Sequence, residues 1–267
     1  MAVLLDVAGL CKAYGSLKAV DGVSFQVAGG EAFGLLGPNG AGKSTTMMMI
    51  AGLLDADAGT VQLRGQAMLR RQPSSRQELG FVPQDLAIYP DLTARENLQF
   101  FGRLYQLSGA LLQERIKGAL EQTGLSGRAD DYAGHFSGGM KRRLNFAAAI
   151  LHQPALLILD EPTNDLDLLT LATLEEFLLH FNGCLLLVSH DRYFMDKLVD
   201  HLFVFEGDGV IRDFNGTYSE YRDDLDDRAS QQKKENIKSK TIEEVPANTT
   251  AKKKLSFKEK QEMEKLE

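Results

Sequence analysis

The feature that most constrains this chain is a glycine-rich run at residues 37–44, Gly-Pro-Asn-Gly-Ala-Gly-Lys-Ser. The apolar stretch 32–36 predicts a strand directly before it, and residues 44–54 predict a helix directly after it. Glycines let backbone N–H groups curl around phosphate oxygens, and the start of a helix adds a favourable field for an anion. The pattern G-x-x-x-x-G-K-[ST] between a strand and a helix therefore predicts a phosphate-binding loop.

Two side chains of this loop suit a metal-bound polyphosphate. Lys43 is placed to reach β- and γ-phosphates, and Ser44 offers a hydroxyl to Mg²⁺. We expect nucleotide contacts from the whole loop and the residue after it: Gly37, Pro38, Asn39, Gly40, Ala41, Gly42, Lys43, Ser44 and Thr45.

A second acidic element follows the apolar run 155–160, which is typical of a buried parallel strand. Its strand would deliver Asp160 to the coordination sphere of the metal. Glu161 would then lie beside the terminal phosphate, where a carboxylate can orient or deprotonate an attacking water. Taken by themselves, these two acids could also simply end a strand in solvent.

Composition excludes several classes of protein. The formal net charge of −7 lacks the basic signature of nucleic-acid binding, so no DNA binding is expected from the core. The N-terminus does not resemble a signal peptide, and no apolar run approaches the ~20 residues that a membrane helix needs. Cys11 and Cys184 stand far apart and are expected to be ordinary residues of a cytosolic protein.

The run Ser137-Gly138-Gly139-Met140, at a predicted helix start before Asp160, resembles the signature loop of the ATP-binding cassette (ABC) ATPases. Phe136 precedes it, and Phe136 and Met140 depart from the common LSGGQ form at positions that need not donate to phosphate. The resemblance implies ATP and Mg²⁺ as ligands. It also implies that each ATP lies between the phosphate loop of one subunit and the signature loop of the other.

Other elements of that family stand in order along residues 1–222. Tyr14 matches the aromatic residue that stacks on adenine, Gln84 the glutamine that contacts Mg²⁺ and senses the γ-phosphate, and His190 the switch histidine. The resemblance implies Glu161, His190 and Gln84 as catalytic residues and Ser44, Gln84 and Asp160 as metal ligands. It assigns a loop that crosses the dimer interface, the D-loop, to Asn164, Asp165, Leu166 and Asp167.

The expected fold class is therefore α/β, the P-loop NTPase fold of the ABC type. It has a mixed or parallel core sheet, an N-terminal antiparallel β region and a helical signature subdomain over about 85–150. We expect the nucleotide-binding domain to cover 1–222, followed by a disordered polar linker at 223–251. Residues 252–267 are either the start of a truncated charged coiled coil or a solvated tail.

Two parts of the chain resemble different relatives. Residues 1–163 resemble the ATP-binding subunit of an ABC exporter. Residues 164–267, with segments such as 189–194 and 216–221, resemble the second cassette and C-terminal part of ABC-F proteins. One hypothesis is a composite chain, joined near residues 159–164. The other is a single lineage that mixes these features.

Two functions follow from the resemblance. The first is an ATPase that forms a head-to-tail dimer, with itself or with a second ABC domain, and energises a separate membrane permease from the cytoplasmic side. The helices between Gln84 and Ser137 would then provide the coupling. The second is an ABC-F-like factor that acts on ribosomes without a membrane subunit.

Overall fold

The N-terminal part of the chain forms an antiparallel sheet. The computed structural model describes residues 2–70, 72, 76–163, 166–207 and 210–228. Strands β1 (Val3–Tyr14) and β2 (Leu17–Ala28) form a hairpin, and β4 (Ala58–Leu63) and β5 (Gln66–Ala67) complete the sheet in the order β2-β1-β4-β5. The inward side chains Leu5 and Val7 are buried two residues apart, as the alternation of a strand requires, and Leu10 is buried beyond a register shift between Val7 and Leu10.

A second, six-stranded sheet forms the centre of the molecule, in the order β10-β9-β3-β8-β7-β6. Its strands are β3 (Ala32–Leu36), β6 (Leu79–Val82), β7 (Leu156–Asp160), β8 (Cys184–Val188), β9 (His201–Gly207) and β10 (Val210–Asn215). All neighbours are parallel except β9 and β10. Every residue of β7 and β8 is buried, as near-continuous apolar parallel strands require. The predicted mixed sheet and antiparallel N-terminal region are confirmed.

The α-helices up to residue 198 are α1 (Lys43–Ile50), α2 (Ala94–Leu104), α3 (Gly109–Gln122), α4 (Gly138–Ile150), α5 (Leu168–Leu179) and α6 (Arg192–Leu198). Helices α2, α3 and α4 share an apolar core of their own, which includes Leu98, Ile116 and Leu144. The predicted capping box at the start of α2 is present, since Thr93 and Glu96 bond to each other's backbone N–H. These three helices are the predicted helical subdomain.

Helix α1 ends earlier than the expected residue 54. Gly52 adopts a left-handed conformation with φ of 63°, which is the usual end of a helix at glycine. The N–H of Leu53 then bonds to the carbonyl of Met48, and the N–H of Gly52 to that of Met49. This pair of bonds is a Schellman motif, and it turns residues 53–57 back toward β1.

The chain divides into two compact units, residues 1–221 and 222–267. A last helix covers 218–228, so the first residues of the predicted polar linker are helical. The rest of that linker and the predicted segment 252–267 lie outside the described residues. Within the described part of the chain, no helix is both long and apolar enough to cross a membrane.

We predict that Gly80→Ala destabilises the fold by about 1–3 kcal/mol through overpacking. Gly80 lies in β6, and a Cβ there would be 2.5 Å from the backbone oxygen of Ala149 in α4. The control is Gly118→Ala in α3, where a Cβ meets nothing within 4 Å and alanine gains up to ~1 kcal/mol of helix propensity. Urea unfolding measures both. Equal stability of the Gly80 variant and the wild type would contradict this close approach of α4.

Candidate functional site

The loop between β3 and α1 can form only because three of its residues are glycines. Gly37, Gly40 and Gly42 have φ values of 146°, 83° and 92°. A Cβ on Gly37 would lie 2.7 Å from the carbonyl oxygen of Phe205, and one on Gly42 would lie 2.3 Å from that of Ala19. Backbone conformation and lack of space therefore both require glycine at residues 37 and 42. The predicted phosphate loop lies at the carboxyl end of β3, which is where ligands bind in parallel sheets.

Lys43 begins α1 and turns back across this loop. Its Nζ donates to the carbonyl oxygens of Gly37 at 2.7 Å and Pro38 at 3.0 Å. Burial lowers the pKa of the Lys43 ammonium, while the carboxylates of Glu161 and Asp160 act in the opposite direction. Its donors are thus concentrated at the mouth of the loop, as the binding of phosphate oxygens requires.

Ser44 and Asp160 come together from distant parts of the sequence. The Ser44 hydroxyl lies 3.5 Å from Asp160 Oδ1, because α1 starts beside the end of β7. Burial raises the pKa of the Asp160 carboxyl, opposed by Ser44 Oγ and by Lys43. Two hard oxygens at this separation can share one Mg²⁺, so two of the three predicted ligands, Ser44 and Asp160, suit that ion.

Glu161 has an unusual backbone conformation next to Asp160. Its φ is 48°, a left-handed value that costs a non-glycine residue on the order of 1 kcal/mol or more. Its N–H bonds to the carbonyl of Val188, which ties the end of β7 to the end of β8. The strain is therefore compensated by the sheet, and it aims the side chain into the site.

The Glu161 carboxylate and His190 are paired. His190 Nε2 lies 3.1 Å from Glu161 Oε1, and the His190 backbone N–H donates to Oε2 at 3.3 Å. Burial raises the pKa of Glu161, and the neighbouring Asp160 adds to this, whereas His190 and Lys43 lower it. A carboxylate with a raised pKa is a stronger proton acceptor, which suits a general base.

The predicted signature residues lie at the start of α4. Ser137 is the N-cap, and its Oγ accepts the N–H of Met140 at 3.2 Å. Phe136 is buried, and Met140 packs against the apolar core of α2–α4. Ser137 and Gly138 are exposed, so the helix start is presented to solvent while its flanking side chains anchor it.

Part of the predicted D-loop lies within the described residues. Thr163 Oγ1 lies 3.1 Å from Ser189 Oγ, whereas Asn164 and Asp165 fall outside the described residues. Leu166 is half-buried, and Asp167 caps α5 by accepting the N–H of Thr170 at 2.8 Å. A Cβ on Gly139 would lie 2.8 Å from Asp167 Oδ2, so this part of the loop contacts the signature helix directly.

Two predicted site residues make no hydrogen bond to this cluster within the described part of the chain. Tyr14 is half-exposed at the end of β1, and Gln84 is exposed in the turn after β6. The site of Ser44, Asp160, Glu161 and His190 therefore forms without Gln84 in this conformation.

The sequence interpretation missed the residues that hold the segment containing Gln84. Arg142 Nη1 donates to the carbonyl of Pro83 at 3.1 Å, and Asn145 Oδ1 accepts the N–H of Ala87 at 3.2 Å. Both side chains come from α4, and Asn145 is buried. The sequence signal for this role was Asn145 inside the apolar run LNFAAAIL. A buried side-chain amide is usually hydrogen-bonded, so an asparagine in such a run indicates a polar partner from another segment.

Fold and site together define a P-loop nucleotide-binding protein. A sequence profile described as ABC transporter matches residues 20–164, more than half of the chain. The chain therefore belongs to the ABC transporter family.

Curated relatives agree with this family. The linearmycin resistance ATP-binding protein LnrL of Bacillus subtilis is 48% identical over 164 residues, 61% of this chain and 53% of that protein. The Nod factor export ATP-binding protein I of Ralstonia nicotianae is 42% identical over 206 residues, 76% of this chain and 64% of that protein. The chain thus spans about half to two thirds of the length of these relatives.

Solved structures give the same fold. One described as the ATP binding subunit of an ABC transporter superposes with a TM-score of 0.73 and 30% identity, covering 83% of this chain and 93% of that one. A nucleotide-free ATP-binding cassette gives a TM-score of 0.71 at 25% identity, covering 84% of this chain and 96% of that one. The predicted likeness of residues 164–267 to ABC-F proteins gains no support from these relatives.

We predict that Glu161→Gln stabilises the fold at neutral pH. Because the pKa of Glu161 is raised in the folded chain, the folded state keeps a proton that the unfolded state loses above about pH 4.3. Stability of the wild type therefore falls as pH rises from there through the folded pKa, and glutamine avoids this loss.

Urea unfolding at pH 7.5 and at pH 4 measures the difference, with the exposed Glu176→Gln as the control. The advantage of Glu161→Gln should be present at pH 7.5 and absent at pH 4. An equal advantage at both pH values would show that ionisation of Glu161 is not its cause.

Proposed function

We propose that this chain is the ATP-binding and ATP-hydrolysing domain that energises an ABC exporter. The observation that carries the proposal is the convergence of Lys43, the Ser44–Asp160 pair and the Glu161–His190 pair at the carboxyl ends of β3, β7 and β8. The family match, and relatives named for Nod factor export and for linearmycin resistance, support the same assignment.

The site residues have separate tasks in this proposal. When bound, MgATP supplies the phosphoryl group and the cation that neutralises its oxygens. Lys43 Nζ exchanges the carbonyls of Gly37 and Pro38 for phosphate oxygens, and Ser44 Oγ and Asp160 hold the cation. Glu161 accepts a proton from the attacking water, and His190 orients the Glu161 carboxylate through Nε2 and can contact the terminal phosphate.

One chain carries one phosphate loop and one signature loop, which the resemblance places on different nucleotides. Two copies related by a two-fold axis would form two equal composite sites. The exposed start of α4 at Ser137 supports this arrangement, because a helix N-terminus is a ready anion site for a nucleotide held by a partner.

We also propose that a separate membrane permease binds the helical subdomain. Leu86, Tyr89, Phe100 and Leu104 are large apolar side chains that are at least 39% exposed. Tyr89 and Phe100 are in edge-to-face contact, with ring centroids 4.8 Å apart. Exposed apolar side chains of this kind are typical of a protein–protein contact. This partner would place the chain at the cytoplasmic face of a membrane.

The alternative is an ABC-F-like ribosome factor, with a composite origin of the chain. One observation favours it: Ser219 accepts hydrogen bonds from Arg192 and donates its N–H to Asp196 at 2.7 Å. The segments around 192 and 219 that resemble ABC-F proteins thus contact each other in the folded chain. ATP-dependent co-sedimentation of the chain with ribosomes would favour this alternative over transport.

We expect Lys43→Ala to weaken ATP binding itself, because it removes the donor at the mouth of the loop. Glu161→Gln should bind ATP normally and lose about 100- to 10,000-fold in hydrolysis, the usual contribution of a positioned base. His190→Ala should resemble Glu161→Gln more than Lys43→Ala. Nucleotide titration and phosphate release separate the two effects.

In sedimentation experiments with saturating MgATP, the Glu161→Gln chain should form a dimer, with ADP as the control nucleotide. A chain that stays monomeric in ATP, alone and with any second ABC domain, would contradict the dimer assignment while leaving the nucleotide site intact.

Mixing two inactive variants tests which chain supplies the signature loop. In a heterodimer of Lys43→Ala and Ser137→Arg chains, both lesions fall on one composite site and the other site is intact. Partial recovery of ATPase activity is therefore expected on mixing. If Ser137→Arg alone hydrolyses ATP at the wild-type rate, the signature assignment is wrong.

A further inference from the structure

The segment that follows α1 returns to β1 and holds its last residues. Asp57 donates its N–H to the carbonyl of Cys11 at 2.9 Å, and its Oδ2 accepts the N–H of Ala13 at 2.8 Å. Lys12 Nζ donates to Asp57 Oδ1 at 2.7 Å and to the carbonyl of Asp55 at 2.8 Å. Three consecutive residues of β1 are thus bound by one aspartate.

This contact compensates for an irregularity in the hairpin. The pairing of β1 with β2 shifts register between Lys12 and Ala13, as in a β-bulge. A bulge bends the strand and re-aims the side chains that follow it. Because the Ala13 N–H bonds to the Asp57 carboxylate, the direction in which β1 continues is set by Asp57 as well as by β2.

The direction of β1 after Ala13 determines where the Tyr14 side chain lies. It ends β1, pairs with Leu17 at the turn, and is 49% exposed, so few packing contacts hold it. The Lys12 ammonium lies 6.0 Å from the centroid of the Tyr14 ring, on the same clamped stretch.

Both ends of α1 contact this hairpin. At its start, Gly42 passes so close to the carbonyl of Ala19 in β2 that a Cβ would lie 2.3 Å from it. Beyond its end, the turn at Gly52 directs residues 53–57 to β1. Helix α1 and the segment after it therefore connect the phosphate loop to the end of β1, where the exposed Tyr14 ring lies.

We propose that Asp57 is a positioning residue that fixes Tyr14 against the base of a bound nucleotide. This rests on the proposed function and adds to it a device for distinguishing nucleoside triphosphates from inorganic polyphosphate. Asp57 would contribute affinity for the base alone, because it contacts no residue of the phosphate loop.

The experiment compares the binding of MgATP and of magnesium tripolyphosphate by calorimetry. Stacking of one base on an aromatic side chain is worth about 1–3 kcal/mol, so Asp57→Ala should raise the Kd for ATP by at least about fivefold. The Kd for tripolyphosphate should change by less than about twofold. Asp57→Asn, which keeps an acceptor for Ala13 but loses the ion pair, should fall between the two.

The matched control is Asp21→Ala, which removes an exposed carboxylate paired with Lys18 in the same hairpin. It should leave both affinities unchanged. The double variant Tyr14→Ala/Asp57→Ala should bind ATP no more weakly than Tyr14→Ala, because Asp57 acts only through Tyr14.

An additive loss in the double variant would overturn the proposal, as would equal weakening of ATP and tripolyphosphate by a folded Asp57 variant. In both cases the wild-type chain still binds MgATP, so the proposed function stands. A wild-type chain that binds neither ligand would instead refute the proposed function.

Discussion

The close passage of the phosphate loop between two strands is the constraint on which the rest of the site depends. Gly37 is wedged against the backbone of Phe205 in β9, and Gly42 against that of Ala19 in β2. These contacts join the central sheet to the antiparallel sheet at the point where α1 begins. Because the loop is confined on both sides, Lys43 and Ser44 have little freedom, and the end of β7 can place Asp160 within reach of Ser44. The sheets therefore position the catalytic groups before any ligand binds.

The site also concentrates unfavourable features that the surrounding sheet must offset. Lys43, Asp160 and Glu161 are all buried, and burial disfavours the charged form of each, as the directions of their pKa shifts show. Glu161 adds left-handed backbone strain. A bound polyphosphate would bring negative charge to Lys43, and its cation would bring positive charge to the two carboxylates. The apolar side chains buried in β7 and β8 contribute favourable free energy of folding that offsets these local costs.

The elements that sequence predicted well are those with local causes. A continuous apolar run produces β7, a capping box starts α2, and the glycine pattern produces the phosphate loop. The features it missed depend on pairing between distant segments. The carboxylate that binds the irregular pairing at Lys12 and Ala13 belongs to Asp57, more than 40 residues away. The hydrogen bonds of Arg142 and Asn145 to residues 83–87 require α4 to pack beside β6. The exposed position of Gln84 also depends on this packing of α4. A sequence motif identifies a residue type and its local element, but it does not determine the packing around that residue.

Helix α4 connects the signature loop to the segment that contains Gln84. Its start at Ser137 is the proposed contact for the ATP of a partner chain, and its middle holds Pro83 and Ala87 through Arg142 and Asn145. Beyond its first two glycines, α4 contains no proline or other kink-forming residue, so we expect it to move as a unit. A displacement of Ser137 by a closing partner would therefore carry residues 83–87, and Gln84 with them. The exposed side chain of Leu86 lies on that segment, and that of Tyr89 lies shortly after it. Nucleotide-driven closure and contact with a membrane partner would thus act on one rigid element, and such a shared element is the physical basis that coupling between two sites requires.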